Sequence, residues 1–208
     1  MDASSVDIEA AISAVIAAGR RAAARGWVPA TSGNFSVRAG EMIAITRTGC
    51  DKGELTPDDV AVVPLSSPFE KGLSAEAALH FARYAADAGL GAVFHAHMPL
   101  AALLGRRHAR QGQLIFQGWE LQKGFAGVGS HLASVRVPIV ANDQDMRTLA
   151  VAAESELQRP SDHLIAPGYL IAGHGIYAWG NTAKDAQRHL ETFAGLFELY
   201  AQWPEAAS

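Results

Sequence analysis

Two histidines separated by one alanine, His95 and His97, interrupt the apolar stretch GAVFHAHMPLAALLG. On a strand, residues i and i+2 point the same way, so this pair can close on one metal ion. The same spacing also suits two satisfied polar side chains at a strand end. A catalytic metal site needs about three protein ligands and an open position, and six further histidines compete for the third place. His80 and His189 fall within expected helices, where packing or solvent accounts for them, and His108 belongs to the basic segment GRRHAR. His131 and His163 flank loop segments and stay in contention. His174 stands apart: it follows the apolar run YLIA and lies between Gly173 and Gly175, residues that permit a sharp bend and close backbone approach.

Two carboxylates can serve such a site. Glu76 is expected in the first turn of a helix, where the helix dipole favours a negative charge with or without a catalytic role. Glu120, in QGWELQKG, adjoins Trp119, and an apolar neighbour can raise a carboxyl pKa towards the range useful for proton transfer. An ordinary surface glutamate is the competing reading. Two further segments offer anion chemistry. In TSGNFS, the backbone around Gly33 can receive a phosphate together with Asn34 and the hydroxyls of Ser32 and Ser36. TRTGCDKG supplies the hydroxyls of Thr46 and Thr48, the Gly49 backbone, and the charges of Arg47 and Lys52. Either segment can equally be a plain turn.

The elements that must carry these groups follow from periodicity. An N-terminal helix places Ile8, Ile12, Val15 and Gly19 on one face, with Ser4 and Asp7 spaced as a capping box. Short strands are expected over 35–38 and 42–46 around a turn at Ala39 and Gly40, and another over VAVVPL. Ser74 can cap a helix bearing Ala77, His80, Phe81 and Tyr84, and the histidine strand covers 92–97. Pro99 opens an alanine and leucine helix. VRVPIV reads as a strand whose Pro138 belongs at an edge or an irregularity. Met146, Leu149, Ala150, Ala153 and Leu157 define one later helix, and Ala186, Leu190, Phe193, Phe197 and Tyr200 the last. Strands and helices mix without a regular βαβ rhythm, so the expected fold is α/β, with a mixed or largely antiparallel sheet covered by helices.

Length and charge bound the function. With 208 residues and no linker or repeat, one domain spanning 1–208 is expected. A net charge of −4 supplies no global basic field, which argues against nucleic acid as a partner and means that any anionic substrate needs a local site. Asp7 and Glu9 interrupt the alanine-rich start, so neither a signal peptide nor a membrane span is expected. Cys50, the single cysteine, cannot form an intramolecular disulfide and fits a reducing compartment, so the cytoplasm is the expected location.

The ordered set SGNFS, ITRTG, SAE, HAH and GHG, spread from residue 32 to residue 175, resembles the class II aldolase family of sugar-phosphate aldolases and epimerases. The segments QGWELQKGF, VPIVANDQD and GHGIYAWG resemble in particular a branch of that family that dehydrates a ketose phosphate. The resemblance implies a single class II aldolase-like domain with helices on both faces of its sheet. It also implies one zinc ion per subunit, with His95, His97 and His174 as ligands. In the dehydratase branch the proton-transfer glutamate falls on Glu120. In the aldolases that role, and often a metal contact, falls on Glu76. The phosphate site implied is Asn34 with its neighbours, together with Thr48 and Gly49. A homotetramer with active sites near subunit contacts is implied as well.

Overall fold

A computed structural model describes residues 5–66 and 72–203; Ser4 of the expected capping box lies outside them. Helix α1 (Ser5–Ala24) buries Ala11, Val15, Ala18 and Ala22 on one stripe. The chain then forms an antiparallel hairpin, β1 (Asn34–Ala39) and β2 (Met42–Thr46), closed by Gly40 at φ 58°. Strand β3 (Val60–Pro64), helix α2 (Ala77–Ala86), strand β4 (Ala92–Ala96) and helix α3 (Pro99–Arg107) follow. The second half runs β5 (Gln113–Phe116), β6 (Val135–Val140), α4 (Met146–Gln158), β7 (Leu164–Ile165), β8 (Gly168–Ile171), β9 (Gly175–Gly180) and α5 (Ala183–Gln202). Caps fix the last two helices: Asp145 accepts from the backbone of Arg147 and Thr148, and Thr182 from that of Asp185.

The nine strands form one sheet in the order β3-β2-β1-β4-β9-β8-β6-β5, with β7 paired to β6. Every pairing is antiparallel except those of β6 with β7 and β8. The expected mixed, largely antiparallel sheet is therefore the one observed. Strand β6 is interior, not an edge, because β5 flanks it. Pro138 occupies an irregularity instead: β6 pairs with β7 through Val135 and Arg136 and with β8 through Ile139 and Val140, and the proline falls between. Strand β5, only four residues long, and the two-residue β7 were not expected from the sequence.

Alternation along the strands sorts side chains into two buried layers. Phe35, Val37, Phe94, Ile176 and Ala178 pack under α1, α3 and α5, whereas Ile43, Ile45, Val93, Tyr177 and Trp179 pack under α2 and α4. His95, two residues beyond Val93, faces the α2 and α4 side. One register row crosses four strands there, from Asn34 on β1 to His95 on β4, Tyr177 on β9 and Tyr169 on β8. The His95 ring stacks on Tyr177 with centroids 4.1 Å apart, and Tyr177 stacks on Tyr169 at 5.1 Å. Among the described residues no helix is long and apolar enough to cross a membrane.

Candidate metal centre and adjoining cavity

His95 lies one residue from the end of β4, and His97 follows directly after the strand. His174 sits in the tight turn joining β8 to β9, and its two glycines do different jobs. Gly173 takes φ 70°, which L side chains rarely adopt. At Gly175 a Cβ would stand 2.3 Å from the Ala96 carbonyl oxygen, so only glycine lets β9 close on the end of β4. Glu76 immediately precedes α2 in αR conformation, with its backbone N–H held by Ser74 Oγ at 3.3 Å. These four residues converge, each offering one ligand atom, with all four atoms within 4.8 Å of one another.

The donor set fits a divalent cation. His95 Nδ1–H donates to the Ile176 carbonyl at 3.0 Å, which leaves the Nε2 lone pair facing the cluster, buried and without a hydrogen-bond partner. His97 Nε2 and His174 Nε2 are 3.0 Å apart, and Glu76 Oε1 is 2.9 Å from His174 Nε2. Ligands about 2.0–2.1 Å from a tetrahedral ion stand about 3.3 Å apart, so these spacings need only a few tenths of an ångström of expansion. Burial alone would raise the Glu76 carboxyl, but the hydrogen bond from His174 and the electrostatic influence of His95 and His174 outweigh it and hold the group well below the carboxylate range. Burial, reinforced by His95 and His174, lowers His97 to about 3, keeping its imidazole neutral and able to ligate.

Beside the cluster opens a cavity of about 440 Å³ that reaches Glu76 and His97. Ser32, Gly33, Asn34, Thr48, Gly49 and Lys52 all line it, so the two anion segments separated in sequence meet at one place. Gly33 and Gly49 both have φ 76°, the backbone turn that turns N–H groups towards a concavity. Lys52 is 2% exposed and donates to the carbonyls of Thr31 and Cys50 at 2.9 and 2.7 Å. Burial lowers its pKa, and an anion in the cavity would oppose that effect. Arg47 contributes a second cationic side chain to the wall. Gln144 and Met146 also line the cavity; Met146 carries a helical-stripe signal that gave no hint of this.

Other expectations change. Ser36 does not face the anion cavity; it shares a strand face with Asn34, is fully buried, and bonds to the ring of His80 at 2.7 Å. His108 is not free in solvent, because its ring packs edge-on against Tyr200. His131 lies outside the histidine cluster, 3.2 Å from Glu120. Glu120 itself stands at the start of a 3-10 turn (Glu120–Gly124), with its side chain 68% exposed, and belongs neither to the cluster nor to the cavity wall of the same chain. Its carboxyl is lowered rather than raised, first through the hydrogen bond from Lys123. Around it lie the exposed apolar side chains Leu121, Leu132 and Trp203, and Trp203 packs edge-on against Trp119.

A histidine cluster at the end of an antiparallel strand pair, beside a cavity lined by hydroxyls, glycine backbone and the cations Arg47 and Lys52, defines a class as well as a site. The chain belongs to the family described as Class II Aldolase and Adducin N-terminal domain, whose sequence pattern matches residues 13–201. Two relatives are named methylthioribulose-1-phosphate dehydratase. That of Bradyrhizobium sp. strain BTAi1 is 57% identical over 190 residues, 90% of this chain and 88% of its own. That of Parvibaculum lavamentivorans is 48% identical over 204 residues, 98% of each chain. Among solved structures, the L-fuculose-1-phosphate aldolase of Thermus thermophilus superposes with a TM-score of 0.68 at 26% identity, covering 92% of this chain and 96% of its own.

Proposed function

We propose that this chain dehydrates 5-methylthioribulose 1-phosphate to 2,3-diketo-5-methylthiopentyl 1-phosphate, a step of methionine salvage, with zinc held by His95, His97 and His174. The observation that carries the reading is the three-histidine cluster beside a cavity lined by Arg47, Lys52, hydroxyls and glycine backbone, in a chain 57% identical to a dehydratase of that name. When bound, the ion supplies Lewis-acid stabilisation of negative charge on the substrate's C2 and C3 oxygens. The cavity residues Ser32, Gly33, Asn34, Thr48, Gly49 and Lys52 hold the phosphate and so orient C3. The Glu120 carboxylate accepts the C3 proton. A protonated acid then supplies the proton with which the C4 hydroxyl leaves as water, and the resulting enol tautomerises to the diketone.

Glu120 reaches that proton from a neighbouring copy. Its exposure, its absence from the cluster and cavity wall of its own chain, and the exposed apolar side chains Leu121, Leu132 and Trp203 all suit a subunit contact, and a homotetramer provides one. The position of Glu76 in the metal cluster favours a second reading, an aldolase or 4-epimerase of a sugar phosphate, in which Glu76 moves the proton. Incubation with a panel of ketose phosphates, read by mass, separates them: loss of one water marks the dehydratase, and a triose phosphate with an aldehyde marks the aldolase. Glu120→Gln should lower activity roughly 10²–10⁴-fold with metal content unchanged. Mixing Glu120→Gln with His95→Ala subunits should restore activity that neither has alone; no recovery would return Glu120 to its own subunit or remove its role.

A further inference from the structure

Beneath the cluster runs a chain of buried polar groups of which the proposed chemistry uses only Asn34. Asn34 Nδ2 donates to Glu76 Oε2 at 2.7 Å. The other end of the same amide, Oδ1, meets His80 Nε2. His80 Nδ1 lies 2.7 Å from Ser36 Oγ, and that oxygen lies 3.0 Å from the hydroxyl of Tyr84. Asn34, Ser36, His80 and Tyr84 are all buried, His80 and Ser36 with no exposure at all.

The carboxylate sets the direction of the bonds from Glu76 to Ser36. An ionised carboxylate only accepts, so the Asn34 amide must present its nitrogen to Glu76 and its carbonyl to His80. The carbonyl only accepts, so His80 carries its proton on Nε2. A neutral imidazole then has a bare Nδ1, which accepts from the Ser36 hydroxyl; the Tyr84 hydroxyl completes the chain, and the Val93 carbonyl, 3.3 Å from Ser36 Oγ, is a further acceptor there. Burial keeps the His80 ring neutral, as this order requires. Neither the Asn34 amide nor the His80 tautomer can reverse without leaving a buried group unpaired.

We infer that His80 is a positioning residue: through Asn34 it fixes the orientation of Glu76 at the metal cluster, and Ser36 fixes the tautomer of His80. Asn34 therefore acts on the carboxylate from behind as well as lining the anion cavity. The inference rests on reading the cluster as a metal site.

Glutamine places an amide near the reach of imidazole Nε2, and asparagine near that of Nδ1. His80→Gln can still donate to Asn34, whereas His80→Asn cannot. Cobalt(II) affinity of each folded variant, measured by competition with a chromophoric chelator, and the visible d–d spectrum of the loaded protein give the readout. His80→Asn should bind cobalt roughly 10–100-fold more weakly, with an altered spectrum, and His80→Gln should stay close to the parent. Ser36→Ala removes one oxygen and little volume, and it carries the test if the His80 variants do not fold; it should weaken binding in the same direction. Parent-like affinity and spectrum in His80→Asn or, failing that, in Ser36→Ala would overturn the inference. A parent protein that binds no cobalt would overturn both it and the metal reading.

Discussion

Gly33→Ala should damage the protein more than an ordinary glycine replacement, by an amount the local geometry predicts. Gly33 has φ 76°, and a Cβ there would stand 2.7 Å from both the His95 carbonyl oxygen and Val28 Cγ1. The left-handed backbone costs an alanine about 1–2 kcal/mol, and forcing a methyl into a filled space adds about 1–3 kcal/mol. Reduced freedom of the unfolded chain returns about 0.4–1 kcal/mol. The net loss is roughly 1–5 kcal/mol, or about 1 M in urea midpoint at its centre for an m-value of about 2–3 kcal/mol/M. Gly49→Ala is the control, since Gly49 has the same φ but nothing within 4 Å of its Cβ. It bears only the dihedral term and should lose about 1 kcal/mol or less. Because the obstructing atom is the carbonyl of His95, a ligand in the proposed metal site, Gly33→Ala should also weaken metal binding, while Gly49→Ala should not. Equal urea midpoints for the two variants would refute the steric argument, and unchanged metal affinity in Gly33→Ala would refute its extension to the site.

Replacing His95, His97 or His174 singly by Ala should strip metal and activity together; full metal content in His174→Ala, measured by atomic emission, would remove the third ligand. In metal-free protein the folded-state pKa values of His80 and His97, both about 3, lie below the ordinary histidine value. The unfolded chain therefore binds more protons between these limits, so stability is full above about pH 6.5 and declines as pH falls below it. Urea midpoints at about pH 7.5 and 5.5 test the sign, and an equal or higher midpoint in acid would contradict it. Arg136, 2% exposed, pairs with Gln113 and with Glu156 at 2.8 Å. Arg136→Ala should cost about 3 kcal/mol, and Arg136→Met, which refills the space, distinctly less; equal losses by urea melting would show that pairing, not packing, governs this position.

Where a local rule governs, the sequence was readable. The His95 and His97 pair follows from the two-residue period of a strand, and the glycines beside His174 from what a tight turn and a close strand approach demand. The anion segments were visible as types, though not that they would share a wall, because Asn34 and Thr48 meet only after β1 and β2 pair. Partners set by long-range packing were hidden. Nothing local in SGNFS tells that Asn34 bonds Glu76, 42 residues on, or that Ser36 turns inward to His80 while Ser32 lines the cavity. Strand β5 was too short to show a period, and it is the pairing with β6 that makes it a strand. Of the two readings open for Glu120, a carboxyl raised by Trp119 or an ordinary surface glutamate, the second fits within its own chain: Lys123 and His131, brought close by the 3-10 turn and its return loop, dominate the local field.

The register row through Asn34, His95, Tyr177 and Tyr169 bears on misfolding. Because side chains alternate, slipping β4 by a single residue would turn His95 into the layer packed by Phe193 and Phe197 and bring Phe94 to its place. Such a slip would not weaken the donor set by degrees. It would bury a polar ring in an apolar layer, separate Nε2 from His174 and Glu76, and break the Tyr177 stack in the same step. Misregistered chains would therefore carry no ion, even with most of their helices formed. Metal retained through a desalting column thus becomes an assay of native strand register, able to count correctly folded molecules in a refolded sample without reference to turnover.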